Sequence, residues 1–200
     1  MGPTYLSRGF AAKRIRAAVL YGRIRNYSKI VNILSLEEIH SFLNDSYGVI
    51  VDAVLKHKGA VDKFTGDGVT AVFGKSTVGE RDSAQAVKAA LSIQEELEQV
   101  NIKWRGSLNF LVEVDIGIST GELLLGNVGH IKHFEYTVIG EKITLAEQLA
   151  SLCKTFNVEI ILDETTCDEV KEEIKLYELG KKLILGFPEP VKLYTPKPRL

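Results

Sequence analysis

Two cysteines, Cys153 and Cys167, are all that this 200-residue chain carries, and they stand 14 positions apart. There is no C-x-x-C and no histidine at zinc-finger spacing. That excludes a disulfide scaffold and a cysteine zinc site, and it suits free thiols in a reducing, cytoplasmic setting. Net charge is equally scarce: 25 Lys and Arg against 26 Asp and Glu leave -1. With no global positive field, a nucleic-acid partner is not expected. No apolar run approaches the roughly 18–20 residues that span a bilayer; Ala17–Tyr21 and Phe110–Ile118 are short or carry an acid. What is present is a core former: 45% of residues are hydrophobic and 26% charged, which excludes disorder as the main state and fits one domain.

The amino terminus offers two readings. Arg8, Lys13, Arg14 and Arg16 surround Phe10, Ala11, Ala12 and Ile15. The stretch is either a solvated lead-in or a basic amphipathic arm that meets a membrane or a partner. Met1-Gly2 does not complete a myristoylation signal, because Leu6 stands where Ser or Thr is required. No secretory signal is expected, since no apolar segment follows the basic residues. The chain is divided as an arm over 1–15, a domain over 16–195 and a tail over 196–200.

Periodicity predicts a buried strand over Arg16–Ile24 and a helix from Ser35 to His57, opened by a Ser35/Glu38 capping box. A hairpin follows, Ala60–Thr65 and Val69–Phe73 around Gly66-Asp67-Gly68. A second helix runs from Asp82 to Val100, then a polar loop over Asn101–Ser107. Strands are expected at Leu108–Thr120 and Glu122–Asn127, interrupted by Gly121, and at Phe134–Ile139. A helix over Glu141–Phe156, a strand at Val158–Leu162, a short helix at Glu164–Glu172 and strands near Tyr177–Leu179 and Val191–Tyr194 complete the chain. This mixture predicts one α/β (α+β) domain, a mixed sheet covered by helices on one face.

Familiar chemistry motifs are missing. There is no P-loop, no dinucleotide G-x-G-x-x-G after a strand, no G-x-S-x-G elbow and no H-E-x-x-H. His130 and His133 lie three apart in an expected loop without a third ligand, so no metal site is assigned there. The Gly66-Asp67-Gly68 turn has two readings: a carboxylate beside glycines that can hold Mg²⁺ near a phosphate, or an ordinary Asp-Gly turn.

Four segments in order decide between them: Ala18-Val19-Leu20-Tyr21-Gly22-Arg23-Ile24, Val61-Asp62-Lys63-Phe64-Thr65-Gly66-Asp67-Gly68, Ile116-Gly117-Ile118-Ser119-Thr120-Gly121-Glu122, and Tyr136-Thr137-Val138-Ile139-Gly140. Together they resemble the catalytic domain of class III nucleotidyl cyclases, the adenylyl and guanylyl cyclases. The resemblance covers about Arg16 to Tyr194. It implies a ferredoxin-like core with a mixed, mostly antiparallel sheet, and a head-to-tail homodimer with ATP or GTP at the interface. In that family two aspartates hold two Mg²⁺ ions while the ribose 3′-hydroxyl attacks the α-phosphorus. A lysine with an Asp or Thr reads the base, and an Asn and an Arg stabilise the transition state.

By resemblance, Asp67 matches the hairpin metal ligand, Lys63 the base-reading lysine and Thr137 its partner in adenine-selective bacterial members. The other three positions depart from the pattern. Arg23 replaces the first-strand aspartate, Thr144 the asparagine and Gln148 the arginine. Losing one preorganised transition-state donor costs roughly 10²–10³ in rate, and an arginine on a transferring phosphoryl group is worth about 10³–10⁵. A guanidinium at Arg23 repels a divalent cation and offers Asp67 a bidentate partner, so an Arg23–Asp67 ion pair is expected, with Arg23 pointing to solvent as the other reading. Sharing a site with an intact cyclase leaves either composite incomplete.

The sequence therefore predicts a pseudoenzyme: a cyclase-like domain that has lost or nearly lost activity and serves as a dimerising, nucleotide-binding regulatory module in intracellular signalling. One alternative is an active adenylate cyclase making cyclic AMP and pyrophosphate with Mg²⁺ or Mn²⁺; only then is a metal cofactor expected. The other is a pure protein-interaction domain. Neither the upstream signal nor ATP against GTP is legible, nor whether the chain is whole or excised.

Overall fold

The computed structural model describes residues 12–74, 82–130 and 132–197. Of the expected basic arm, positions 1–11 lie outside the described residues, as do positions 198–200 of the tail.

The first strand explains the layering. β1 (Lys13–Ile24) buries side chains on both faces: Ala18, Leu20 and Ile24 join one core cluster, and Ala17, Val19 and Tyr21 another. A strand apolar on alternate and intervening positions alike needs cover on both sides. It receives it. α2 (Leu36–Lys56) and α3 (Asp82–Trp104) pack on the first face. α4 (Glu141–Phe156) packs on the second through Ala146 and Ala150. Helices on one face only, as expected from the order of elements, is thus corrected. A further short helix, α1 (Tyr27–Val31), follows β1 and is too brief to show a period.

β2 (Ala60–Thr65) and β3 (Gly68–Phe73) form the expected hairpin, and β3 pairs with β1. On the other side of β1 runs β4 (Val114–His130), whose arm pairs with β5 (His133–Ile139). Beyond β4 come β6 (Ile160–Asp163), β8 (Val191–Thr195) and β7 (Tyr177–Lys182), with α5 (Glu164–Val170) between β6 and β7. Among the described residues the sheet order is β2-β3-β1-β4-β6-β8-β7, antiparallel throughout except for the β4–β6 pair.

Two expectations about elements fail for local reasons. β4 passes straight through Gly121, which is a close approach rather than a break: a Cβ there would lie 2.6 Å from the Lys142 side chain. The sheet also loses Leu108–Glu113 as strand and gains helix to Trp104. Trp104 stacks edge-on to Phe42 at 5.4 Å and donates its Nε1–H to Asp45 at 2.9 Å. Asn101 clasps the following loop, accepting from the Val112 amide at 2.6 Å and donating to its carbonyl at 3.0 Å. The capping box forms as expected: Glu38 accepts from the Ser35 amide at 2.9 Å, and Ser35 accepts from the Glu38 amide at 3.3 Å.

β1 starts at Lys13, not Arg16. Arg14 and Arg16 belong to that strand and pair with Glu122 and Glu169, so this part of the basic stretch is built into the sheet. No helix among the described residues is long and apolar enough to cross a membrane.

Candidate functional site

The carboxyl end of β1, the β2–β3 turn and α1 surround a cleft of about 480 Å³, lined in part by Arg23, Asp67 and Lys154. The turn that carries Asp67 is pinned from several sides. Gly66 sits at φ +50°, a left-handed conformation in which glycine carries no Cβ penalty. Tyr47 donates its hydroxyl to the Gly66 carbonyl at 2.5 Å and packs on Phe64, ring centres 5.1 Å apart. Burial pushes the Tyr47 phenol up to about 12, so it stays a donor at neutral pH. The Ile24 amide donates to the Asp67 carbonyl at 2.8 Å, tying the turn to β1. At Gly68 any Cβ would fall 2.5 Å from the Tyr21 hydroxyl. The sequence fixes where Asp67 stands.

Arg23 lines the same cleft but does not pair with Asp67. Its Nε lies 3.9 Å from Oδ2 of Asp115, and Nη1 is 3.4 Å from the Ser151 hydroxyl on α4. This corrects the expected ion pair. Register is the reason: Arg23 and Asp115 are direct cross-strand partners on the face under α4, and the Asp115 side chain is fully buried. A buried carboxylate attracts a neighbouring guanidinium far more strongly than one on a turn near water.

Asp115 already serves Arg25, which donates Nε–H at 2.7 Å, Nη1–H to Glu113 at 3.0 Å and Nη2–H to the Val158 carbonyl at 2.9 Å. Burial still raises the Asp115 carboxyl, against the lowering effect of Arg25 and then Arg23. Arg23 Nε and Asp115 Oδ2 are buried without a hydrogen-bond partner. Arg23 therefore puts a guanidinium where the resemblance expects a metal-binding carboxylate. One carboxylate, Asp67, beside a guanidinium does not fit a two-metal site. Among the described residues no three His, Cys, Asp or Glu side chains come together as a metal group. His130 and His133 face each other as the closing pair of the β4–β5 hairpin, both exposed.

The two residues expected to read the base lie elsewhere. Neither Lys63 nor Thr137 lines the cleft. The structure joins them through a residue given no role by the sequence, Asp62. Thr137 donates its hydroxyl to Asp62 Oδ2 at 2.7 Å, and Lys63 Nζ lies 3.6 Å from the same oxygen. α4 carries two of the positions where the sequence departs from the family pattern. Thr144 is exposed, and Gln148 donates to the Leu185 carbonyl at 3.4 Å. Between them Glu147 is raised above the usual carboxylate range by burial, with Lys63 as the opposing, lowering charge. Asp62, Asp115 and Glu147 were missed because nothing in their spacing marks them; only the register and the helix docking bring them to the site.

A twisted antiparallel sheet with a long two-stranded arm, helices on both faces and a cleft at the β1 end against the β2–β3 turn defines a cyclase-type α/β fold. The comparisons agree. Residues 11–195 match the family described as the adenylate and guanylate cyclase catalytic domain, and the chain belongs to that family. The structure resembles that of the adenylyl cyclase CyaB from P. aeruginosa, with TM-score 0.84 and 27% identity over 92% of this chain and 94% of that one. It also resembles the guanylyl cyclase Cya2, with TM-score 0.79 and 27% identity over 93% of this chain and 92% of that one. Among curated relatives, an uncharacterized Mycobacterium tuberculosis protein is 31% identical over 92% of this chain and 31% of its own length. Adenylate cyclase 1 of Rhizobium meliloti is 25% identical over 93% of this chain and 28% of its own length. The chain spans about a third of the length of the curated relatives it matches.

Proposed function

We propose that this domain is a degenerate member of the cyclase family, with cyclase activity lost or nearly lost, that dimerises, binds a nucleotide and acts as a regulatory module inside the cell. One observation carries the reading: the arginine at the first-strand ligand position is anchored to a buried carboxylate, 3.9 Å from Asp115, instead of being free to leave. Retaining positive charge beside Asp67 opposes capture of a divalent ion. At the same time Arg23 and Lys154 make the cleft attractive to phosphate oxygens without a metal. Thr144 lacks the amide, and Gln148 the guanidinium, that the family uses at those positions on the transition state.

The dimer is the remaining part of the proposal. The β4–β5 arm leaves Leu124, Val128, Phe134, Tyr136 and Ile139 each more than 40% exposed. Leu124, Val128 and Ile139 share one face of the arm and Phe134 and Tyr136 the other, and apolar side chains exposed on both faces of an antiparallel arm suit a second copy of the chain.

The test is direct. Purified protein given ATP or GTP with Mg²⁺ or Mn²⁺ is expected to yield no cyclic nucleotide above a protein-free blank; measurable product overturns the proposal. Restoring Arg23→Asp, Thr144→Asn and Gln148→Arg together is expected to create activity; Lys63 and Thr137 both meet Asp62, which supports this expectation. Likeness to an adenylate cyclase favours one second reading, an active enzyme tolerant of these changes, and the same assay decides it.

A further inference from the structure

We infer that Asp62 sets the direction of the Thr137 hydroxyl proton and thereby makes the nucleotide site prefer adenine over guanine. This rests on the reading of Lys63 and Thr137 as the pair that meets the base.

The argument starts from an irregularity in β2. Its register with β3 shifts between Val61 and Lys63, so Asp62 steps out of the ladder. Strict alternation would send neighbouring side chains to opposite faces, whereas a bulge lets both turn to one side. Asp62 uses that freedom to reach β5, 75 residues on. Oδ1 accepts from the Val138 amide at 3.3 Å, and Oδ2 accepts from the Thr137 hydroxyl at 2.7 Å. The carboxylate side chain is fully enclosed, and Lys63 Nζ lies 3.6 Å from Oδ2.

An ionised carboxylate can only accept, so the one proton of the Thr137 hydroxyl is committed to it. The Val138 carbonyl, 3.4 Å away, is the weaker acceptor for that proton. Only lone pairs remain on Thr137 Oγ1 for a ligand. Adenine presents an N6 amino donor where guanine presents an O6 acceptor. An oxygen offering lone pairs satisfies the first and repels the second. Asp62 is thus a positioning residue, and the polarity it imposes decides the purine.

The isosteric variant reverses that polarity. In Asp62→Asn the side-chain oxygen is expected to keep facing the Val138 amide, which can only donate. The amide nitrogen then points at Thr137 and donates to Oγ1, freeing the hydroxyl proton to turn toward the base. Nitrogen-15 chemical-shift titrations of purified protein with ATP and with GTP, without metal, read the outcome as a ratio of dissociation constants. The wild type is expected to favour ATP. Asp62→Asn is expected to lower that preference about tenfold, the size of one hydrogen bond turned from made to opposed. In a Thr137→Val background the same Asp62→Asn change is expected to leave the ratio where it was.

A ratio compares two ligands on one variant, so loss of folded protein does not imitate the result. An unchanged ratio in Asp62→Asn, or a wild type that binds both purines alike, overturns the inference while the nucleotide-binding reading stands. A wild type that binds neither nucleotide removes that reading and the inference with it.

Discussion

Arg25 is 6% exposed and Asp115 0%, yet both are ionic, and Arg23 adds a second cation to the same carboxylate. Burying charges costs several kcal/mol each unless geometry and extra hydrogen bonds offset it. Here the Val158 carbonyl and Glu113 take the remaining Arg25 donors, which is why the arrangement holds. Glu147 shows the opposite balance. Desolvation raises its carboxyl and Lys63 only partly opposes this, so the folded protein holds that proton more tightly than the unfolded chain. Stability from this group is therefore complete at acid pH and is lost as pH rises through the raised carboxyl range toward neutrality. Glu147→Gln removes the penalty. Thermal melts of the variant and the wild type are expected to coincide well below that range and to separate above it, with the variant the higher at neutral pH. Identical melting profiles at all pH values would show that water screens Glu147 fully.

At the scale of elements, the docking of α4 on β4 sets the site, because Glu147, Gln148 and Ser151 ride on that helix. The approach is so close that a Cβ at Gly117 would stand 1.9 Å from the Ala146 carbonyl and 2.6 Å from the Ala150 amide. Backbone cannot give way there as a flexible side chain would. Gly117→Ala is expected to cost about 2–4 kcal/mol of stability in urea unfolding, the upper range of overpacking effects. Gly48→Ala, on α2 with open space around its Cβ, is the matched control and is expected to be neutral or slightly stabilising. The same closeness explains why β4 passes through Gly117 and Gly121 as one strand: both glycines admit the helix rather than end the ladder.

For the whole molecule the question is what covers the β4–β5 arm. Sedimentation velocity is expected to show a concentration-dependent dimer, and Phe134→Glu with Tyr136→Glu is expected to shift it to monomer with the fold intact by circular dichroism. Both side chains are more than half exposed in the single chain. A wild-type monomer at every concentration would remove dimerisation from the proposed function.

Much of this molecule was legible before any coordinates. The capping box placed α2, the Gly66-Asp67-Gly68 turn placed the hairpin, and α4 ran over Glu141–Phe156 as its period indicated. These are local signals: a side chain meeting its own backbone, a turn, an apolar stripe. The resemblance in four short segments gave the family, and it nominated Arg23, Lys63, Asp67, Thr137, Thr144 and Gln148 as positions to compare with the family pattern.

What the residues alone left open was partnership across the sheet. Arg23 stands in register between β3 and β4, with Gly68 on one side and Asp115 on the other, and charge alone pointed it toward Asp67. Burial chose Asp115, since low dielectric magnifies attraction only where water is excluded, and exclusion is made by α4 and the strands together. Asp62 is the same lesson beside Lys63 and Thr137: a bulge turned it and β5 met it, two events separated by 75 positions that no local pattern encodes. Sequence determined which groups this domain possesses; tertiary structure decided which of them answer one another.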